Sequence, residues 1–183
     1  GIRTTFKREL ASFFFSPVAY VCAAVFCLVV SVLAFVAGGF IESQNASLAG
    51  PFFSWHPWIF IFIGPAIGMR LWSEEQRLGT IELLSTMPIA IWHATIGKFL
   101  ASSVVLYAML VCTFPAVLSM EVLGNPEWGP IWSGYLGSFL LGCTTLALTM
   151  MVSTFTRSQV IAFLVGLALS FWLLFMGFPQ VSD

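Results

Sequence analysis

The sequence predicts an all-α, polytopic membrane helix bundle, and three observations predict it. Of 183 residues, 59% are hydrophobic and only 8% charged, where a soluble domain carries about a quarter charged residues. The charges divide the chain into five uncharged stretches, Leu10–Ile41, Ser43–Met69, Phe99–Met120, Trp128–Thr156 and Ser158–Ser182, each longer than the roughly 20 residues that cross a bilayer as a helix. Runs such as VCAAVFCLVVSVLAFVAGGF lack the apolar–polar alternation of a membrane barrel strand, and a helix satisfies its own backbone hydrogen bonds in lipid. A net charge of −1 gives no case for nucleic acid as a partner.

The elements follow in order. Residues 1–16 read as an interfacial elbow helix, with Ile2, Phe6, Leu10, Phe13 and Phe14 on one face and Arg3 and Lys7 along its edge. Pro17 breaks it before the first span. Five spans are expected near Val18–Ile41, Phe52–Trp72, Phe99–Met120, Ile131–Phe155 and Val160–Phe178. Five spans leave the two ends on opposite faces, and the chain begins with Gly1. The sequence therefore reads as incomplete at the C-terminus, with a sixth span expected in the full chain.

All seven basic residues, Arg3, Lys7, Arg8, Arg70, Arg77, Lys98 and Arg157, fall on one side of these spans. That side is cytoplasmic by the excess of positive charge, so the N-terminus is expected inside. Trp55, Trp58, Trp128 and Trp132 mark the outer edge, and Trp72 and Trp92 the inner one.

Small residues recur every four positions at Gly134, Ser138 and Gly142, and again at Ala162, Gly166 and Ser170. Both sets read as helix–helix seams, because helices in lipid associate where small residues let backbones approach. Pro65 removes one backbone donor and is expected to kink the second span near its middle. The four cysteines, Cys22, Cys27, Cys112 and Cys143, lie within spans and form no CxxC pair, so they read as packing residues and no metal site is indicated. His56 and His93 fall on opposite sides and cannot share one haem. Phe26, Phe35, Ser103, Tyr107, Thr144 and Thr145 are candidates for lining a pathway, and ordinary packing accounts for them equally well. Apart from Arg70, no span carries an ionisable acid or base at depth, which speaks against an ion-coupled secondary transporter. No nucleophile, base and acid are grouped, so the chain is read as non-catalytic, with any energy entering from another protein.

The segment RLWSEEQRLGTIELLSTMPI, Arg70 to Ile89, concentrates charge that the rest of the chain avoids. The second span can continue through it until Gly79, the favoured residue just past a helix end. Thr80 can cap a short following helix, with Glu82 in its first turn and Pro88 ending it. Ile81, Leu84 and Met87 then project at near-helical spacing beside Leu83. Around this patch Glu74, Glu75 and Glu82 set three acids against one Arg, Arg77, which suits a protein groove better than lipid, since lipid-facing helices are rich in Lys and Arg.

The pattern EExxxGTIELLSTMPI followed by WHATIGKFLAS resembles the permease subunits of ABC-2-type transporters, most closely the gliding-motility-type permease group. GNPEWGPIWSGYLGSFLLG, STFTRSQVIAF and the opening FKRELASFFFSPVAYV add to the resemblance, which covers nearly the whole chain. The resemblance implies a single ABC-2-type transmembrane domain over residues 1–183, with six spans in the full chain and a cytoplasmic coupling segment at residues 73–93. It implies an ATP-driven permease, expected to be an exporter, in the bacterial cytoplasmic membrane. The implied partners are two copies of a separate ABC ATPase, a second identical or homologous permease, membrane lipid and a periplasmic accessory subunit. ATP and Mg would sit in the ATPase, with no cofactor on this chain. The positions matching the coupling motif are Glu74, Glu75, Gly79, Thr80, Glu82, Leu83, Leu84 and Pro88. Two other readings stand beside this one: an ATPase-linked membrane scaffold or remodelling subunit without solute transport, and a secondary transporter that binds its ion through backbone carbonyls.

Overall fold

The computed structural model describes residues 2–33, 52–82, 91–123 and 128–177, and those residues are helical apart from short turns. The helices are α1 (Ile2–Phe15), α2 (Pro17–Val32), α3 (His56–Gly68), α4 (Arg70–Leu78), α5 (Ile91–Cys112), α6 (Phe114–Leu123), α7 (Trp128–Ser153) and α8 (Gln159–Met176). A 3-10 turn, Phe53–Trp55, leads into α3. Among the described residues three helices are long and apolar enough to cross a membrane: Ile91–Leu118, Trp128–Ser153 and Gln159–Met176. The bent pair α1–α2 adds a fourth if it counts as one span.

Helices α3, α5 and α7 form the centre. Phe60, Ile67, Leu106, Ile131 and Leu146 are buried there, and α3 packs on α2, α7 and α8. Close approach is built from glycines. A Cβ on Gly64 or Gly68 would collide with Thr145 or Thr149 of α7, and one on Gly142 with Leu106 of α5 and Phe60 of α3. Helix α8 buries only Ala162, Gly166 and Ser170. Gly166 meets Thr149 of α7 so closely that an added Cβ would lie 2.7 Å from its Cγ2. Gly134 receives the ring of Phe53, and Ser138, about one turn further along α7, is buried.

Several expectations need correction. The second span is described as two helices that meet at Met69, whose own φ −58 and ψ −29 are helical, with Pro65 inside the first of them. Proline costs the bond from its own position, while its carbonyl still accepts the Met69 N–H at 2.9 Å. The third span starts at Ile91 rather than Phe99 and is interrupted at Thr113. Pro115 has no N–H for the carbonyl one turn back, and tight three-residue bonds flank the interruption, Thr113 N–H to Leu110 O and Ala116 N–H to Thr113 O, both 3.0 Å. Helix α1 presents a rotated face: Thr5 and Glu9 join Ile2, Phe6, Leu10 and Phe13 on the covered side, and Phe14 is exposed. The cause is Gly97 on α5, where an added Cβ would lie 2.9 Å from Thr5 Cβ and 3.2 Å from the Ile2 carbonyl. The proposed pathway residues do not share a surface. Phe26, Ser103 and Thr145 are buried, Tyr107 and Thr144 are exposed, and Phe35 lies outside the described residues.

Candidate functional site

Helix α4 is short and amphipathic and packs against three longer helices. Leu71, Trp72 and Ser73 are buried at its start, and its contacts run to α3, α7 and α8. Gly79 ends it in the left-handed conformation, φ +70 and ψ 8, with its N–H bonded back to the Gln76 carbonyl. Only glycine takes that conformation freely. Arg77 sits in the last turn, where the helix dipole favours a cation. The chain then turns into a second helical stretch at Thr80. The Thr80 hydroxyl donates back to the Glu75 carbonyl at 3.3 Å, so its proton serves the end of α4.

The charged residues of this arm divide into two groups. At its base, Arg70 donates to Ser16 Oγ at 2.7 Å and to Glu74 at 3.4 Å. That bond ties the arm to the α1–α2 bend, which measures 69°. Glu75 faces inward and pairs with Lys98 of α5 at 3.0 Å and Arg8 of α1 at 3.3 Å. On the other side, the Gln76 amide donates to the Thr154 carbonyl just past the end of α7. The second group faces outward. Arg77, Leu78, Gly79 and Glu82 are exposed, and the Leu78 side chain keeps 63% of its accessible surface.

Of the eight motif positions, the structure thus brings Glu74 and Glu75 to the base of the arm, Gly79 and Thr80 to its corner, and Glu82 to the outside. Leu83, Leu84 and Pro88 lie outside the described residues, as does Met87. Ile81, expected on the outward patch, packs partly buried against the core. Leu78 supplies exposed apolar surface that the motif did not include. Lys98 and Glu9 were also missed as members of this region. Lys98 shares a helical stripe with Ala94, Ala101 and Val105, and a lysine within an apolar stripe was the available signal.

Two other features lie apart from the arm. His56 is buried at the start of α3, among Phe26, Phe52, Phe53 and Phe60, with Nδ1 3.0 Å from the Phe52 carbonyl. An open apolar groove of about 450 Å³ between α5 and α7 is lined by Tyr107, Phe114, Trp132, Tyr135 and Phe139. Tyr135 and Thr113 share a hydrogen bond of 3.0 Å beside it. Among the described residues no group of His, Cys, Asp and Glu could hold a metal ion.

A family model described as ABC-2 family transporter protein matches residues 4–182 of the chain. Comparison with curated proteins found no match.

Proposed function

The chain belongs to the ABC-2 family of transporter proteins and is a multi-pass permease component of an ABC transporter; from that premise we propose that the α4 arm is its docking element for a separate ATPase. The observation that carries the reading is the division of the arm's surface. Its base is ion-paired to the helix bundle, while Arg77, Leu78 and Glu82 present a mixed apolar and charged tip to the outside. A rigid base with an adhesive tip is what force transmission requires.

In this reading the N-terminus and the arm are cytoplasmic, and α1 lies in the headgroup plane as an elbow. Two such permeases, identical or homologous, pair with two ATPases that hold ATP and Mg. Closure of the ATPases displaces the arm, and the arm moves α3 against α7. The direction is export across a bacterial cytoplasmic membrane. The gliding-motility-type group is the subgroup whose motif the segment 74–89 follows, and a periplasmic subunit would join the outer face. Glu74, Glu75, Gly79 and Thr80 set the arm's geometry; Glu82, Leu83 and Leu84 make contact, and Pro88 closes the element.

The test is assembly. Leu78→Asp with Glu82→Lys is expected to leave membrane insertion intact and to abolish co-purification with the ATPase. Wild-type yield of the complex would refute the docking assignment. ATP-dependent transport in vesicles separates a transporter from a scaffold that only remodels a partner.

A further inference from the structure

Lys98 is 2% exposed although it sits in a stripe of inward-facing residues. An ammonium in such a place is costly unless every donor is matched. Its Nζ makes two hydrogen bonds and one further ion pair to two other helices. Glu75 Oε1 of α4 lies at 3.0 Å, Glu9 Oε1 of α1 at 3.2 Å, and the Leu71 carbonyl of α4 at 2.8 Å. The Trp72 ring covers it, 5.3 Å from the ring centre. Arg8 closes the set from the exposed side, 2.9 Å from Glu9 and 3.3 Å from Glu75. Two cations and two carboxylates balance.

We propose that Lys98 is a positioning residue that locks α1, the base of the α4 arm and α5 into one moving body. This rests on the reading of the arm as the coupling element. Buried ionic sets add little net stability over apolar packing of the same shape, and their best-attested use is to select one geometry. The geometry here is selective because the ammonium's hydrogen bonds to Glu9 and Leu71 and its ion pair with Glu75 are met together only when the three helices are in register. Glu75 reinforces the constraint. Its Oε2 is buried with no hydrogen-bond partner, so the carboxylate depends on Oε1 and on the two cations that reach it. Moving the arm away from α1 and α5 would strand the Glu75 carboxylate without a cation and leave Lys98 with Glu9 alone. Displacing all three helices as a unit keeps every pair. The lock therefore carries motion of the arm to the elbow helix as well as to α3.

The experiment measures a distance between spin labels at Lys7→Cys on α1 and Arg77→Cys on α4, both exposed positions. The four native cysteines are replaced by alanine. The chain is held in phosphatidylethanolamine–phosphatidylglycerol vesicles, first alone and then with its ATPase. For the chain alone, the parental protein is expected to give one narrow distance. The variant Glu9→Gln/Glu75→Gln/Lys98→Met, which leaves no buried charge at the hub and only the solvent-exposed Arg8 guanidinium without its carboxylates, is expected to broaden it at least about twofold while its melting stays near parental. Glu75→Gln alone leaves Lys98 paired with Glu9 and is expected to broaden the distance by less; it serves if the triple variant does not insert. A distance as narrow in the variants as in the parent overturns the proposal. With the ATPase bound, ATP is expected to leave the parental distance unchanged, because both labels move together, and to alter it in the triple variant. An equal ATP response in both also overturns it. ATPase binding is also measured for the unlabelled chain with Arg77 in place: if that chain binds no ATPase the coupling reading fails, if only the labelled chain does not the label blocks the tip, and in either case the chain-alone distances decide the role of Lys98.

Discussion

Gly64→Ala adds one methyl group to α3, and the structure fixes where that methyl must go. Its Cβ would lie 2.1 Å from Thr145 Oγ1, 2.7 Å from Thr145 Cβ and 3.2 Å from the Thr145 backbone carbon. Rotating the threonine moves only the hydroxyl and methyl. Cβ and the backbone are carried by α7, so α3 and α7 must part by about 0.7 Å to restore ordinary contact. Overpacking of this kind costs about 1–3 kcal/mol, set against a helix-propensity gain of up to about 1 kcal/mol for replacing glycine. Gly137→Ala makes the same chemical change on α7 with nothing within 4 Å of the new carbon. It is expected to be neutral or stabilising by up to about 1 kcal/mol. The difference between the two variants cancels propensity and leaves the clash, about 1–3 kcal/mol. The assay is reversible unfolding in mixed micelles by rising dodecyl sulfate, followed by tryptophan fluorescence. Thr145→Ala, which removes the nearest atom but keeps the Cβ at 2.7 Å, should rescue Gly64→Ala only in part, and Thr145→Gly more fully. If Gly64→Ala proved as stable as Gly137→Ala, the close seam between α3 and α7 would not exist as described.

Gly97→Ala should lift α1 from α5, since the new Cβ meets both Thr5 Cβ and the Ile2 carbonyl; amide exchange over residues 5–10 is expected to rise about tenfold, the equivalent of about 1.4 kcal/mol, and unchanged exchange would contradict the crossing. Gly79→Ala places a side chain at φ +70 and should weaken the end of α4 by about 1–2 kcal/mol, seen as faster tryptic cleavage at Arg77, with Gly79→Asn intermediate. Tyr135→Phe removes the partner of the buried Thr113 hydroxyl at 3.0 Å and should cost about 0.5–1.5 kcal/mol in the same unfolding assay; because Thr113 Oγ1 also donates to the Leu110 carbonyl at 2.7 Å, a larger loss would point to disturbed ring packing.

Helix content and the small-residue stripes were legible because each depends on local composition. Gly79 was legible for the same reason: a glycine after a charged helical run marks a left-handed end, and φ is +70 there. The rotated face of α1 was not. An amphipathic count assigns Thr5 to the polar side, and only the glycine at position 97 of a distant helix explains why a threonine lies against it. The inward turn of Glu75 was hidden likewise, since its neighbour Glu74 has the same chemistry and one helical step of 100° separates a surface acid from one paired to Lys98.

The threonines of α7 have a consequence for how the bundle can change shape. Thr145 donates its hydroxyl to the Gly142 carbonyl and Thr149 donates to the Thr145 carbonyl, both within their own helix. What Thr149 turns toward Gly68 and Gly166 then includes its methyl group, whose Cγ2 is among the nearest atoms to both glycines. A shift of α3 or α8 along α7 therefore breaks neither of these two hydrogen bonds. What it has to overcome is the seating of each threonine against its glycine, so the seams resist sliding by shape.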